Sequence, residues 1–479
     1  MPSIPFASFM DRRHQPCVPD GLRTTLLVAT IIGLAALAGV YSRPSGFLAT
    51  FWPANALLAG LLVRARARRR LPILIGAFVG LQIAGTIAGD EVWIGLQMTL
   101  ANLLSAVTFA FIFCLLDKQE RDLTHPRAVV SLIGAAAIAA VVSGMLGGWA
   151  LVTLTGGAYF AAWRTWLASE LMSYLVLLPG MLATPWPLPR LRFPGWAALF
   201  GHPILAPAVA LAASVGIGLL VSHPVAIVFP VPALIWCALL VPLPLTCLLV
   251  LIYSCATMFA IKLGFYDLGR GGLNDQLITA VHLGIAMIAL GPVLVASATA
   301  DRRRQIEELK RAATYDALTD ALNRGSFLKE AERVLVDLRR NGEAVAVVVI
   351  DVDHFKQVND VHGHAAGDMA LVALSAAVKK SIRSRDLFGR LGGEEFALLL
   401  PAAGLEEART VANRLRLYVE RLQTTLPSGD VLKLTVSVGV AVSSATGTDM
   451  SELLSFADQT MYEAKRAGRN RVECTLLPA

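Results

Sequence analysis

Between Arg390 and Phe396 the chain reads Arg-Leu-Gly-Gly-Glu-Glu-Phe. Two adjacent glycines favour a tight hairpin turn, because glycine enters φ > 0 without steric cost. Lacking Cβ atoms, Gly392 and Gly393 also let a phosphorylated ligand approach the backbone. Glu394 and Glu395 follow, on what is expected to be the outgoing strand. One carboxylate can bind a divalent metal while the other assists proton transfer or a second metal. Alone, this stretch reads equally well as an acidic hairpin facing solvent.

Its upstream company changes the balance. The apolar, β-branched run 344–350 passes directly into Asp351-Val352-Asp353-His354-Phe355-Lys356. Hard oxygen donors thus stand at the C-terminal end of a strand, a plausible Mg²⁺ site, and Lys356 is suited to a phosphate. Asn359 and Asp360 come next, then Gly363-His364-Ala365-Ala366-Gly367-Asp368 entering a helix. A helix N-terminus offers free N–H groups, and Asn359 and Asp368 have the amide and carboxylate to read a purine edge. His364 by itself is more often structural than catalytic.

These groups need a frame. Hydrophobic period and β-branching predict strands over 344–350 and 432–442, a hairpin over 387–400, and helices over 368–381, 406–422 and 451–467. Helices against a central mixed sheet result, an α/β (α+β) domain.

The rest of the chain has a different composition. Of 479 residues, 55% are hydrophobic and 16% charged, with mean hydropathy +0.61; an ordinary soluble protein carries about a quarter charged residues. The apolar excess lies between Leu26 and Ala300. By the criterion of ~20 apolar residues per crossing, this region predicts a membrane helical bundle of about eight to ten spans. The ten candidates are 24–42, 47–63, 71–88, 93–116, 128–155, 166–184, 203–222, 224–242, 244–263 and 277–299. Basic residues follow the even-numbered spans: Arg64 to Arg70, then Lys118, Arg121 and Arg127, then Arg190 and Arg192, then Arg302 to Arg304. Positive loops stay cytoplasmic, so both termini are expected there, in a multi-pass protein of the bacterial inner membrane, in contact with membrane lipid. Net charge +7 is accounted for by these flanks, so no nucleic-acid partner is expected.

Residues 1–22 lack the pattern of a cleavable signal. Cys17, Cys114, Cys237, Cys247, Cys255 and Cys474 are scattered without a Cys-x-x-Cys pair, which argues against disulfides and zinc. Within the apolar block, Phe51-Trp52-Pro53-Ala54-Asn55-Ala56, Asn102, and Trp166 with Glu170 interrupt the pattern. Polar groups at membrane depth face a bundle interior and can mark a ligand site, or merely join helices. With Pro179, these residues resemble the first type of MASE bacterial membrane sensor domain, with Glu170 standing where Asp is usual. The resemblance implies a sensor that responds to a small-molecule or protein signal.

Downstream the resemblance is to the GGDEF family of diguanylate cyclases. It rests on 316–324 (Asp-Ala-Leu-Thr-Asp-Ala-Leu-Asn-Arg), the Asp-x-Asp-x-Phe-Lys-x-x-Asn-Asp of 351–360, and the Gly-His-x-x-Gly-Asp of 363–368. It rests also on the heptad at 390–396, Ser437-x-Gly439, and Tyr462-x-Ala464-Lys465-x-x-Gly468-Arg469-Asn470. Asp320 replaces a usual Gly. The division expected is 1–22 as an N-terminal tail, 23–300 as the membrane sensor, 301–315 as a helical linker that can pair with its copy, and 316–475 as the cyclase.

The resemblance implies a fold like the palm of nucleotidyl cyclases and polymerases, a homodimer, and condensation of two GTP into cyclic di-GMP and pyrophosphate. Asp351, the Val352 carbonyl, Glu394 and Glu395 would hold Mg²⁺ or Mn²⁺. Asn359, His364 and Asp368 would bind the nucleoside, beside Gly392 and Gly393. Lys356, Lys465 and Arg469 would contact the triphosphate. Glu394, or alternatively Glu395, would accept the proton of the attacking 3′-hydroxyl. Arg383 and Asp386 would form an inhibitory site for cyclic di-GMP, with Arg414 or Arg416 contributing. Two other classes stay open: a non-catalytic GTP or cyclic di-GMP receptor, and a transporter with a regulatory tail.

Overall fold

The computed structural model describes residues 20–42, 51–116, 121–185, 203–266, 275–443 and 449–477. The expectations resting on Cys17, Lys118, Arg190, Arg192 and most of the 1–22 tail lie outside them. The chain divides into two compact units, Met1–Arg304 and Gln305–Ala479.

The first unit is helical. Its elements are α1 (Asp20–Tyr41), α2 (Pro53–Arg64), α3 (Ala67–Ile87), α4 (Val92–Phe113), α5 (Pro126–Thr155), α6 (Tyr159–Ala183), α7 (Leu205–Val221), a 3-10 segment (Pro224–Val228), α8 (Val231–Leu240) and α9 (Leu243–Lys262). The helix α10 (Asp275–Thr314) leaves the unit. Among the described residues, seven helices are long and apolar enough to cross a membrane: α1, α3, α4, α5, α6, α9 and α10. The ten expected spans all coincide with helical segments, but three of these are shorter than a full crossing. Proline explains two of the short ones. Pro53 takes the first turn of α2 after the non-helical Trp52, and the chain becomes extended at Ala65. Pro224, Pro230 and Pro242 bound or interrupt the 224–240 segment, because proline lacks the N–H that a helix interior needs.

The 40 residues of α10 form one helix, spanning about 60 Å at 1.5 Å per residue. Its apolar part gives way at Asp301 to a charged stretch, so the 301–315 segment read as a linker continues the last long apolar helix.

The second unit adds β1 (Leu322–Asn323), α11 (Arg324–Asn341), β2 (Val345–Val352), α12 (Phe355–His362), α13 (His364–Ser381), β3 (Leu387–Gly392), β4 (Glu395–Pro401), α14 (Leu405–Arg421), β5 (Gln423–Thr425), β6 (Val431–Lys433), β7 (Val436–Ser443), α15 (Met450–Arg466) and β8 (Val472–Leu476). Six strands make a mixed sheet in the order β1-β3-β4-β2-β7-β8, and β5 and β6 pair separately. β2 is central and buried on both faces, which is why its sequence is a continuous apolar run instead of an alternating one. Ala346, Val348, Ile350 and Val352 join one core with Leu371, Leu374 and Leu415. Val345, Val347 and Val349 join the other with Phe327, Leu335, Leu453 and Met461.

Two expected elements change. The strand read over 432–442 is two strands, β6 and β7. The segment carrying Lys356 and Asn359, for which no element was expected, is the helix α12. α15 lies very close on β7: a Cβ at Gly439 would come within 2.1 Å of the Ala457 carbonyl oxygen and 2.2 Å of the Met461 nitrogen. No side chain fits there, and the helix rests on bare strand backbone.

Candidate active site

The alternation of side chains along β2 puts Asp351 on the face covered by α15. There Lys465, in the last turn of α15, places Nζ 2.8 Å from Asp351 Oδ2. In register, Asp351 stands opposite Glu395 of β4 on one side and Ser437 of β7 on the other. Asp351 is only 4% exposed. Burial pushes its carboxyl above the ordinary value; Lys465 pulls it back, and the negative charges of Glu394 and Glu395 push it up again.

The hairpin differs in detail from the expectation. Gly392 pairs with Glu395, so the two turn residues are Gly393 and Glu394, and only Glu395 opens the outgoing strand. Gly393 has φ +46°, in the left-handed region that favours glycine. The turn is held from one side by Arg390, which donates from Nε at 2.9 Å and from its terminal nitrogen at 2.7 Å to the Gly393 carbonyl. Its other terminal nitrogen pairs with Asp316 at 2.9 Å. Burial raises the Asp316 carboxyl, but the Thr319 hydroxyl, Arg390 and the Thr319 N–H outweigh it and hold the group below its ordinary range. A continuous set of polar contacts therefore joins the segment after α10 to the acidic turn. Asp320 takes φ +53°, the conformation that suits the Gly usual at this place, and pairs with Arg311 and Lys379.

Asp353 is buried and acts as a clamp. It accepts from Thr435 Oγ1 at 2.8 Å, Ser437 Oγ at 2.7 Å and the Asn470 N–H at 3.1 Å. It thereby ties the segment after α15, with Arg469 (φ +61°) and Asn470 (φ +47°), to the end of β2. Asp353, Arg390 and Asp316 shape the site without having been assigned roles from the sequence. Their motif positions were visible; that they bond to one another and to the backbone was not.

The nucleoside candidates lie on α12 and α13. Lys356 is exposed on the first turn of α12, while His364 and Asp368 are exposed on the first turn and a half of α13. Asn359 is half-buried, and its Oδ1 is buried with no hydrogen-bond partner. A Cβ at Gly367 would lie 2.0 Å from that oxygen, so only glycine leaves room for the amide. Among the described residues no three acidic, His or Cys side chains are gathered closely enough to hold a metal. The donors are nonetheless of the right kind: carboxylate and carbonyl oxygens beside a cation, the Lys465 ammonium, that already meets Asp351.

Arg383 lies in the turn before β3, not on the strand entering the hairpin. Its guanidinium pairs with Glu407 of α14 at 2.8 Å, and its N–H donates to Asp386 Oδ2 at 2.8 Å. Arg414 donates to the Ser381 carbonyl at 2.7 Å, next to this turn. Arg416 is engaged elsewhere, with Glu420 and Asn470.

Known proteins resemble this chain. Residues 313–471 match the family described as "Diguanylate cyclase, GGDEF domain". The chain is 26% identical over 455 residues to "Probable diguanylate cyclase DgcF" of Escherichia coli O157:H7, covering 94% of each chain. It is 37% identical over 169 residues to "Diguanylate cyclase DgcP" of Pseudomonas aeruginosa, covering 35% of this chain and 25% of that one. Among solved structures, the coiled coil and GGDEF domain of DgcB from Caulobacter crescentus, in complex with c-di-GMP, is similar at 30% identity and a TM-score of 0.35, covering 36% of this chain and 92% of that one. Residues 313–471 are therefore a GGDEF domain, and the enzyme class they indicate is diguanylate cyclase.

Proposed function

We propose that this membrane protein joins two GTP molecules into cyclic di-GMP across a dimer of its second unit, under control of the first. The observation that carries the reading is Asp351 beside Glu395 with the Lys465 ammonium on its carboxylate. A receptor that had abandoned chemistry would have no reason to keep a buried acid poised between a cation and two further carboxylates. The transporter reading has less support: beyond Glu170 and His282, acidic and His groups buried within the long apolar helices are absent among the described residues.

In the reaction the 3′-oxygen of one GTP forms a bond to the α-phosphorus of the other. The bond from that phosphorus to the bridging oxygen breaks, and pyrophosphate leaves. Two such steps give cyclic di-GMP and two pyrophosphates. Glu394, free in the turn, is the group we assign to take the hydroxyl proton, with Glu395 the alternative. Lys465 and Arg469, on either side of the end of α15, and Lys356 balance triphosphate charge. The unpartnered Asn359 Oδ1 suits the N–H edge of guanine, with Asp368 and His364 on the adjoining helix. Mg²⁺ or Mn²⁺, held by Asp351, the Val352 carbonyl, Glu394 and Glu395, would supply positive charge at the phosphate. One domain holds one GTP, so two must face each other.

Residues 23–300 are proposed as a MASE-type sensor with both termini cytoplasmic. Seven crossing helices alone would place the termini on opposite sides; counting the three shorter helices as passages restores the even number that the basic flanks favour. A reporter fused after Ala479 should then behave as cytoplasmic, and one within 264–276 as periplasmic. The same reading makes Arg383 and Asp386, with Arg414 nearby, a site at which cyclic di-GMP inhibits. Incubation of the purified full-length protein with GTP and Mg²⁺ should yield cyclic di-GMP. GTP binding without product would favour the receptor reading.

A further inference from the structure

The membrane unit holds a partly open cavity of about 60 Å³ between α1, α3, α4 and α6. Glu170 lies at its wall, 3% exposed. Asn55 Nδ2 donates to both Glu170 oxygens, at 2.9 and 3.0 Å, and to Asn102 Oδ1 at 2.9 Å. Ser105 donates to Glu170 and meets the Tyr174 hydroxyl at 2.9 Å. These donors are all neutral. They occupy lone pairs of the carboxylate but leave its charge uncancelled, and an isolated charge at membrane depth is costly.

Three polar side chains point the same way. Thr99, Asn102 and Ser169 line the cavity at 2%, 3% and 7% exposure. Among the described residues, the Thr99 and Ser169 hydroxyls and the Asn102 amide nitrogen have no hydrogen-bond partner. Asp90 adds a second acidic group to the lining, and no described Lys, Arg or His lines it. A wholly apolar cavity stays dry; this one is apolar on the α1 and α3 side, at Ala36, Val40, Leu81 and Ala84, and polar at Thr99, Asn102, Ser169 and Glu170, the side that would take a polar, positively charged occupant.

Its size narrows the class. A cavity of roughly 150 Å³ holds benzene and a water needs about 10–15 Å³, so a nucleotide or an amino acid does not fit. A divalent ion calls for more oxygen ligands and more negative charge than one close carboxylate and two hydroxyls provide. The Asn102 amide donor needs an acceptor that a bare ion lacks, which a water accompanying the ion supplies. We infer that the α1–α3–α4–α6 cavity binds a small monovalent cation of the ammonium, potassium or sodium class, with one or two waters, against Glu170, Thr99 and Ser169. The inference deepens, and its signalling role rests on, the reading of this unit as a sensor. Occupancy would add a second tie between α6 and α4, already joined through Asn55 of α2, with the apolar walls of α1 and α3 closing over it.

The test uses purified full-length protein in lipid nanodiscs, titrated separately with ammonium, potassium and sodium chloride at ionic strength held constant with N-methylglucamine chloride. Trp52 and Trp166 line the cavity, so tryptophan emission should change saturably with at least one cation, and which one identifies the ion. Glu170→Gln should weaken binding at least tenfold. Because Glu170 also holds the bundle together, Thr99→Val and Ser169→Ala serve as a second pair; each removes a cavity oxygen that bonds nothing in the fold, and each should weaken binding several-fold at an unchanged melting temperature. No saturable response to any of the three ions, or an unchanged response in Thr99→Val and Ser169→Ala together, would overturn the inference and leave the cavity to water. Cyclic di-GMP formation by the same nanodiscs is measured in parallel. Saturable binding with an unaffected rate would keep the site and remove its signalling role; no product under any condition would defeat the cyclase reading and leave the binding result standing.

Discussion

Glu170 in the membrane unit and Asp351 in the cyclase unit are both buried carboxylates, and the chain treats them in opposite ways. Around Glu170 the partners are Asn55 and Ser105, neutral groups fixed in the helices that they join. Around Asp351 the partner is an ammonium, Lys465, at the end of a long and partly exposed side chain. Neutral donors lock a carboxylate into architecture, since losing any of them leaves a buried polar atom unmet. A mobile ammonium can instead be exchanged for another cation or for a phosphate-bound one. The first arrangement favours a rigid wall on which an ion can rest, the second a site that opens for its substrate.

The largest effect that would break the comparison is on the turn. Glu394→Gln should lower cyclic di-GMP formation on the order of 10²–10⁴-fold, with the melting temperature preserved, because the residue sits in a turn and not in a core. Near-normal turnover would remove Glu394 from the chemistry. Lys465→Met should cost next most, roughly tenfold to a hundredfold in kcat/KM, the scale of a lost charge-assisted hydrogen bond. It also carries a pH signature. Lys465 now pulls the Asp351 carboxyl down against its burial, so without it Asp351 ionises only at higher pH. The acid limb of the kcat/KM profile should therefore move to higher pH in the mutant, and an unmoved limb would mean that Asp351 does not govern it.

How much of this was legible in the sequence depends on the kind of contact. The β2 run, the Gly-Gly-Glu-Glu turn and the helices 405–421 and 450–466 were readable because hydrophobic period and turn chemistry are local. The Phe355–His362 helix was missed because its His354 start, at φ +57°, carries no ordinary capping signal. Two of the three short membrane helices, α2 and the 224–240 segment, were overextended because apolar character runs on through the prolines that bound or interrupt them. The Arg390–Asp316 pair and the Asp353 clamp each join residues 74 to 117 positions apart, and no single stretch of sequence encodes such a meeting.

Smaller effects sharpen the comparison between the two units. Inserting three or four residues into the 301–314 part of α10 turns the downstream residues by about 300° or 400°, whereas seven returns them to within about 20° of their phase. Activity should differ between the three- and four-residue insertions and be mildest in effect for seven. Equal activity in all three would show that α10 anchors the cyclase without steering it. The smallest change in synthesis is expected for Arg383→Ala. Its pair with Glu407 is exposed and worth about 0–1 kcal/mol, so folding and initial rate should hold while inhibition by added cyclic di-GMP weakens. Equal inhibition of both proteins would place the inhibitory site elsewhere.

Gly439 shows where the catalytic unit is most fragile. The residue touches no ligand candidate, yet the bare backbone there sets the height at which α15 rides over the sheet, and hence the reach of Lys465. A single methyl at that point would act as a wedge under a lever whose far end carries the ammonium. The protein would retain every functional side chain and lose their alignment, so an inventory of active-site residues would score such a variant as intact. Because the atoms met are backbone, the Ala457 oxygen and the Met461 nitrogen and Cα, a smaller side chain at Met461 should not restore a Gly439→Ala variant, whereas a lower temperature should, a pattern that separates a displaced helix from a missing reactive group.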